Sequence, residues 1–235
     1  MTSRYPLAFV VFSVLVGGIC LRLGFWQLDR LEQRRSRNAV TLERRSLPPT
    51  DIRALTGRAE ERRVFATGRF DFQHEFVLRG RAKDGVPGVE VVTPLLLADS
   101  DSAVLVLRGY VPAADAITYD AAAHREPESL TVSGIAMPVP LDSAGAVPAM
   151  RKGAETWRRL DQTAVRARLP YPVESVYILA DSPATASPAP RRLPASPLDD
   201  GPHLNYAIQW FAFATIAFVG ALALWWRRGR ERTEA

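Results

Sequence analysis

The chain has 235 residues, 47% of them hydrophobic, and a formal net charge of +5. That length allows one domain of ordinary size plus accessories. Its single cysteine, Cys20, excludes an intramolecular disulfide and any paired-cysteine zinc or copper chemistry. Of its 30 basic residues all but Lys83 and Lys152 are arginine. Arginines flanking two apolar runs account for the positive balance, so nucleic acid is not expected as a partner.

The first apolar run, Tyr5 to Leu21, resumes after Arg22 as Leu23-Gly24-Phe25-Trp26. It is longer than a signal-peptide core, lacks a clear small-x-small cleavage site before Arg22, and ends in an interfacial aromatic. It therefore reads as a transmembrane helix over residues 6–26, with Arg22 one turn from its end and free to snorkel or to pair with a bound anion. Gly17 and Gly24, spaced i,i+7, would let a second helix approach. Helix formers continue past Gln27, so the helix is expected to leave the membrane and run to about Arg45, where Leu47-Pro48-Pro49 ends it. A short helix at Asp51–Leu55, closed by Gly57, would follow.

Strand signals then take over. Arg62–Gly68, Glu75–Arg79, Val89–Leu97, Val104–Tyr110, Leu130–Gly134 and Ser175–Ala180 are apolar or alternating runs of strand length. A Gly/Pro-rich turn over Gly80–Gly88 and a polar turn at Asp99–Ser102 separate three of them. Asp161 is placed to cap a helix from Gln162 to Arg168 that stops before Pro170. Residues 27–181 thus read as an α+β domain with a small, mainly antiparallel β-sheet or barrel. Residues 182–202 form a proline-rich, extended connector.

Leu204–Trp226 contains no charged residue and is long enough, at ~1.5 Å per residue, to cross a ~30 Å hydrocarbon layer. Residues 204–226 read as a second transmembrane helix, with Arg227, Arg228, Arg230 and Arg232 in a basic tail over 227–235. Two spans put both termini on one side. The tail arginines argue that this side is cytoplasmic, while Arg30, Arg34, Arg35 and Arg37 argue the reverse. Long loops translocate largely regardless of charge, so the large domain is expected outside.

An antiparallel pair of spans would bring Arg22, Trp26, Gln27 and Arg30 to the depth of His203, Tyr206 and Trp210. On a helix His203, Tyr206, Ala207 and Trp210 share one face. An imidazole, aromatic walls and guanidinium groups at the hydrocarbon border would suit a haem: iron, macrocycle and propionates in turn. Taken alone, His203 is better explained as an interfacial residue hydrogen-bonded to the connector, and the aromatics as an ordinary interface belt. His74 and His124 have no second ligand at metal spacing and read as surface or turn residues. Glu75 beside His74 has no accompanying nucleophile. Arg108-Gly109-Tyr110 reads chiefly as a strand end with glycine serving the backbone.

Several stretches together resemble the surfeit locus protein one family of cytochrome c oxidase assembly proteins. Gly24-Phe25-Trp26-Gln27-Leu28-Asp29-Arg30 resembles its Gly-x-Trp-Gln-x-x-Arg signature at the end of the first helix. Gly68-Arg69-Phe70-Asp71 resembles its Gly-x-Phe/Tyr-Asp motif. Thr93-Pro94-Leu95, Arg108-Gly109-Tyr110-Val111-Pro112 and Trp157-Arg158-Arg159-Leu160-Asp161 are similar to further family segments. His203-Leu204-Asn205-Tyr206-Ala207-Ile208-Gln209-Trp210-Phe211 resembles the His-x-x-Tyr-Ala-x-x-Trp-Phe signature that opens the second helix. Departures are Pro202 where the family often has asparagine, Tyr110 for the commoner tryptophan, and a poor match over Ala113–Lys152.

The resemblance implies a two-span membrane protein with its domain on the periplasmic or intermembrane-space side. It implies a non-enzymatic role in handling haem a during insertion into oxidase subunit I, with haem a synthase as a further partner beside the lipid bilayer. By the same resemblance His203 is the residue tied to haem a, the tentative ligand of its iron, with Tyr206, Trp210 and Trp26 as walls, Gln27 beside them, and Arg22 or Arg30 facing propionates. No Arg- and Ser-rich transit segment precedes the first span, which favours a bacterial plasma membrane over a mitochondrial source. Two other classes stay open: a haem-free scaffold that stabilises subunit I, and a membrane enzyme, for which no Ser/His/Asp or Cys/His set is present.

Overall fold

A computed structural model describes residues 5–55, 60–141, 148–152, 154–181 and 190–233. The chain divides into a helical unit, Met1–Leu42 with Pro197–Ala235, and a β unit, Glu43–Ser196.

The helical unit is built on α1 (Tyr5–Ser46) and α3 (His203–Thr233). Both are long and apolar enough to cross a membrane. Along α1 the buried residues are Ser13, Gly17, Cys20, Gly24 and Leu31, and on α3 they are Ala207, Ala214 and Ala221. The steps of four, three and seven are a 3.5-residue repeat, which keeps one seam facing a partner helix. Small residues on that seam let the helices close. A β-carbon at Gly24 would lie 2.6 Å from the Phe211 ring, and one at Gly17 2.7 Å from Phe218. Phe211 also packs edge-on against Phe25, at 5.3 Å between centroids. As the residue number falls on α1 from 24 to 17 it rises on α3 from 211 to 218, so the pair is antiparallel. Phe12, Leu15, Ile19, Ile216 and Val219 stay exposed on the outer faces, the side on which an apolar solvent replaces water.

α1 runs past the apolar stretch to Ser46 and stops before Pro48-Pro49, as the sequence indicates. The helix expected at Asp51–Leu55 is a 3₁₀ turn, Ile52–Ala54, capped by the Asp51 side chain; Gly57 lies outside the described residues.

The β unit contains β1 (Thr50–Asp51), β2 (Arg63–Phe70), β3 (Phe76–Lys83), β4 (Val86–Leu97), β5 (Ala103–Pro112), β6 (Ser129–Pro138), β7 (Ala149–Arg151), β8 (Ala154–Trp157) and β9 (Val173–Ala180). The strand order is β1-β2-β6-β9-β5-β4-β3-β8-β7, and an added β2–β4 pairing closes β2-β6-β9-β5-β4 into a five-stranded barrel. Pairing is mainly antiparallel, the exceptions being β1–β2, β3–β8 and β5–β9. Closure removes the free edges of those five strands. The Gly80–Gly88 turn expected from composition is shorter: β3 and β4 run on to Lys83 and from Val86, leaving only Asp84-Gly85 to turn the hairpin. Pairing across Arg81–Gly88 and Ala82–Pro87 overrides the local turn signal.

Val64, Ala66, Leu95, Val104, Val106, Val132 and Ile178 belong to one core cluster. The alternate residues Leu105, Leu107 and Leu179 pack on a second with Trp157, Leu160 and Val165. The latter face is covered by α2 (Gln162–Arg168), whose N-cap is Asp161, accepting from the backbone amide of Ala164 at 2.9 Å. Residues 191–196 lie along this unit: Arg191 exchanges two backbone hydrogen bonds with Tyr110, each 2.8 Å, and Leu193 and Ala195 pack on the second cluster.

Candidate functional site

Among the described residues, two groups of polar side chains set in apolar surroundings stand out. The first lies in the β unit, on β5. Arg108 on β5 is fully buried, and its guanidinium donates to Glu75 Oε2 at 2.7 Å and, through Nε, to Glu126 Oε2 at 2.8 Å. It also donates to the His124 carbonyl. Arg192 then donates to Glu126 Oε1 at 2.5 Å and to the Arg108 carbonyl at 2.6 Å. Phe70 and Phe72 lie against the Arg108 guanidinium at 5.5 and 5.4 Å. Two cations and two anions share one dry pocket, and nearly every polar atom is matched. Burial alone would raise the Glu126 carboxyl, but hydrogen bonds from Arg192 and Arg108 overcome it and hold the group below its usual value. Gly109 follows at φ +144, where a β-carbon would meet the Arg191 carbonyl oxygen at 2.4 Å. Arg108-Gly109-Tyr110, expected at a strand end, instead lies within β5 at the register shift opposite Val91 and Val92, because the buried ionic knot holds Arg108 there.

Nearby, His74 does not pair with Glu75. Its Nδ1 lies 2.6 Å from Asp71 Oδ2, which also accepts from Tyr171 at 2.8 Å. Burial and the Asp71 charge push the Tyr171 hydroxyl up, away from any role as a base at neutral pH. His124 sits in a turn, with Nδ1 2.9 Å from the Asp120 carbonyl oxygen. A pocket of about 340 Å³ between Phe72, Glu75, Tyr119, Glu155 and Arg168 has no Ser, Thr, Cys, Lys or His among its described lining residues. Among the described residues no group of His, Cys, Asp and Glu is arranged to hold a metal ion.

The second site is the mouth of the helical unit. Here α3 begins at His203, and His203 Nδ1 lies 2.9 Å from Gln27 Oε1 on α1. Gln27 continues the α1 seam between Gly24 and Leu31, and His203 continues the α3 seam one turn before Ala207. The approach to α3 is held by α1 itself. Asn38 donates to the Asp199 carbonyl at 2.7 Å, Arg34 to the same oxygen at 3.2 Å, and Arg35 pairs with Asp200 at 2.9 Å. The Asp199 side chain then accepts from the Gly201 amide at 3.0 Å, turning the chain through Gly201 at φ +70, a conformation natural to glycine.

Of the other residues singled out from sequence, Trp210 is half-buried on the α3 seam, its ring edge-on to Phe213 at 6.0 Å. Tyr206 is 47% exposed and Trp26 42% exposed, so both flank the seam and do not line it. Arg30 lies over the Trp26 ring at 5.5 Å. Arg22 is exposed on the outer side of α1. Of the seven, His203 and Gln27 are joined by a hydrogen bond across the seam. Phe25 and Phe211, which close the mouth below them, were not singled out, although Phe211 ends the second-helix signature. Nor were Arg34, Arg35, Asn38, Asp199 and Asp200. The opposite charge of Asp199-Asp200 and the Arg34-Arg35 run was the available signal.

Comparison with known proteins gives one consistent result. The model of the SURF1 family matches residues 14–215. A SURF1-like protein of Monosiga brevicollis is 29% identical over 227 residues, covering 86% of this chain and 80% of that protein. One from Rickettsia bellii is 27% identical, covering 83% and 82%. An uncharacterized SURF1-like protein of Mycobacterium bovis is 26% identical, covering 83% and 73%.

Proposed function

Since the chain belongs to the SURF1 family, we propose that it is a membrane-bound assembly factor for haem-copper cytochrome c oxidase that holds haem a for insertion into subunit I. The observation that carries the reading is the His203–Gln27 contact. It joins the two helix signatures, Gly-x-Trp-Gln-x-x-Arg and His-x-x-Tyr-Ala-x-x-Trp-Phe, at one point of the helical unit. The donor set fits the group. His203 keeps a ring nitrogen, Nε2, outside that contact, and Phe25, Trp26 and Tyr206, within three residues of His203 or Gln27 along the two helices, are each more than 40% exposed, leaving apolar surface for a macrocycle. Arg30 stands over Trp26, within the same patch, where its charge can meet a propionate.

When bound, haem a supplies the iron that an imidazole nitrogen ligates. This chain supplies the imidazole, the apolar surface and the guanidinium charge. A single protein ligand makes a site that releases as well as binds, which a carrier requires. The β unit lies on the outer side of the plasma membrane with both termini in the cytoplasm, and contacts subunit I; haem a synthase is the donor.

The test is the optical spectrum of the full chain purified in detergent from cells that make haem a. Wild type should carry haem a, and His203→Ala should lose it while keeping its thermal unfolding midpoint. Unchanged haem in His203→Ala would remove that residue as the ligand. Absence of haem from wild type, with oxidase yield still dependent on the protein, would replace this reading with that of a haem-free scaffold.

A further inference from the structure

Gln27 was grouped with the residues that contact the cofactor, but its geometry assigns it a different task. We propose that Gln27 is a positioning residue: it fixes His203 in the tautomer protonated on Nδ1, so that Nε2 presents a free lone pair, and Gly201 leaves that edge of the ring open. The proposal rests on the reading of His203 as a ligand only for its consequences, since the tautomer exists with or without a cofactor.

The ring nitrogen facing α1 is Nδ1, and the atom it meets at 2.9 Å is the amide oxygen of Gln27. With the amide oxygen toward the ring, that oxygen only accepts and Nδ1 carries the hydrogen, whereas a flipped amide would present its NH2 and reverse the tautomer. A neutral imidazole has one hydrogen, and Nε2 is then an acceptor or a metal ligand. A free histidine prefers the opposite arrangement, with its hydrogen on Nε2, so the contact has to impose the state. Gln27 is itself held: it lies on the buried seam of α1, one turn from Gly24, where the Phe211 ring fills the glycine's place. Metal-bound histidines almost always donate their second nitrogen to such a partner, which orients the ring and raises its basicity.

The other edge of the ring faces Gly201. A β-carbon there would sit 3.4 Å from Cδ2 and 3.6 Å from Nε2 of His203. Those are ordinary contact distances, so a methyl would fit but would occupy space beside the lone pair. The tether Asn38–Asp199–Gly201 holds this glycine at the ring edge. Both neighbours of the imidazole therefore favour one outcome: Nδ1 engaged, Nε2 open.

The experiment uses the full chain in detergent with ¹⁵N-labelled histidine, without haem, and reads the neutral form of the ring. Long-range proton–nitrogen spectra report which nitrogen carries the hydrogen, and His203→Ala identifies the His203 signals among those of His74 and His124. Wild type should show Nδ1 protonated and Nε2 bare. Gln27→Leu should move His203 toward the Nε2-protonated form, and Gln27→Glu, which keeps an acceptor at the same reach, should restore it. With haem a present, Gln27→Leu should weaken retention by about 10- to 100-fold, the usual cost of losing such a partner, while Gln27→Glu retains haem with a lower reduction potential. A protonated Nε2 in wild type, or a Gln27→Leu spectrum identical to wild type, overturns the proposal. The expected tautomers in a protein that never takes up haem would support the role of Gln27 and overturn the haem reading alone.

Discussion

The knot around Arg108 and the mouth around His203 are both polar groups set in apolar surroundings, and they are finished differently. At Arg108 every charge has a counter-charge and three side chains approach full burial. At His203 one nitrogen is bonded and the other is left open beside a glycine. The network is matched charge for charge, although Glu75 Oε1 and the neighbouring Tyr119 hydroxyl are buried without a hydrogen-bond partner, and its value is the shape it imposes on the core. A half-satisfied imidazole on the border of a membrane helix has a free valence, which structure alone does not call for. Degree of satisfaction separates the two better than residue type, since arginine and histidine are both familiar at functional sites.

The largest expected effect comes from breaking the charge-matched region. Arg108→Ala removes the cation between Glu75 and Glu126 and leaves two carboxylates in a dry pocket. Removing one partner of a buried ion pair costs about 3–5 kcal/mol, a large part of the stability of an ordinary domain. Purified protein should be scarce, and its thermal midpoint should fall well below that of His203→Ala. Equal midpoints for the two variants would show that the knot is less important to the core than its burial indicates.

The same region sets the response to acid. Glu126 has its carboxyl held below the ordinary 4.5 by Arg192 and Arg108, against the opposing effect of burial. A depressed folded-state value means that its contribution is complete above about pH 4.5 and is lost as the pH falls through the folded value. Asp71 and Glu155 are shifted in the same direction: burial opposes them, and bonds from Tyr171 and His74 and from Arg168 prevail. The thermal midpoint of wild type should therefore hold from pH 7 to 5 and drop steeply below 4.5. In Glu126→Gln the acid slope should be shallower, on a lower baseline.

The sequence made different parts of the two regions legible. Helix ends were local decisions, so Pro48-Pro49 and Asp161 marked them correctly. The seam was legible from Gly17 and Gly24, because a seven-residue spacing of glycines in an apolar helix has few other uses. The barrel was legible as a class, yet β7 and β8 were not foreseen, nor was the closure of β2 on β4. A three-residue and a four-residue strand carry too little pattern, and closure depends on pairings such as Gly68 with Leu97 that no local signal encodes. The knot was hidden for the same reason. Glu126 lies in a loop between β5 and β6, within the stretch Ala113–Lys152 that offered no motif, and only the fold brings it to Arg108. At the mouth, His203 and Gln27 each stood in a recognisable signature. Their contact was foreseen only as shared depth, and the walls expected from Tyr206 and Trp26 face outward because the seam takes Ala207 on α3 and Gly24 and Gln27 on α1.

A middle-sized effect is expected where packing supports the open imidazole. Gly24→Val would drive a branched side chain into the Phe211 ring, which already stands 2.6 Å from where a β-carbon would be. Overpacking of this kind costs about 1–3 kcal/mol. Here the helices would part or rotate, and the His203–Gln27 bond would lengthen. The variant should lose the Nδ1-protonated signature and most bound haem, with the acid response of the β unit unchanged. A matching change in that response would mean that the two regions are not as separable as their chemistry implies.

The smallest effect is expected from the exposed tether. Arg35 and Asp200 are about half exposed, at 52% and 44% of their side chains, and ion pairs this open contribute about 0–1 kcal/mol and weaken with salt. Arg35→Gln should thus leave the thermal midpoint within error. Its neighbour Asn38 bonds a backbone carbonyl at 2.7 Å, so Asn38→Ala removes a contact that positions Asp199 and, through it, Gly201. If the tether matters only by holding Gly201 at the ring edge, Asn38→Ala should reduce haem retention by less than about fivefold, worth roughly 1 kcal/mol for one hydrogen bond. Arg35→Gln should reduce it less still, and the difference between wild type and Arg35→Gln should vanish at high salt. A larger loss from Arg35→Gln than from Asn38→Ala would shift the role from geometry to charge. In that case the arginines of α1 would be acting on the anionic groups of the bound molecule itself.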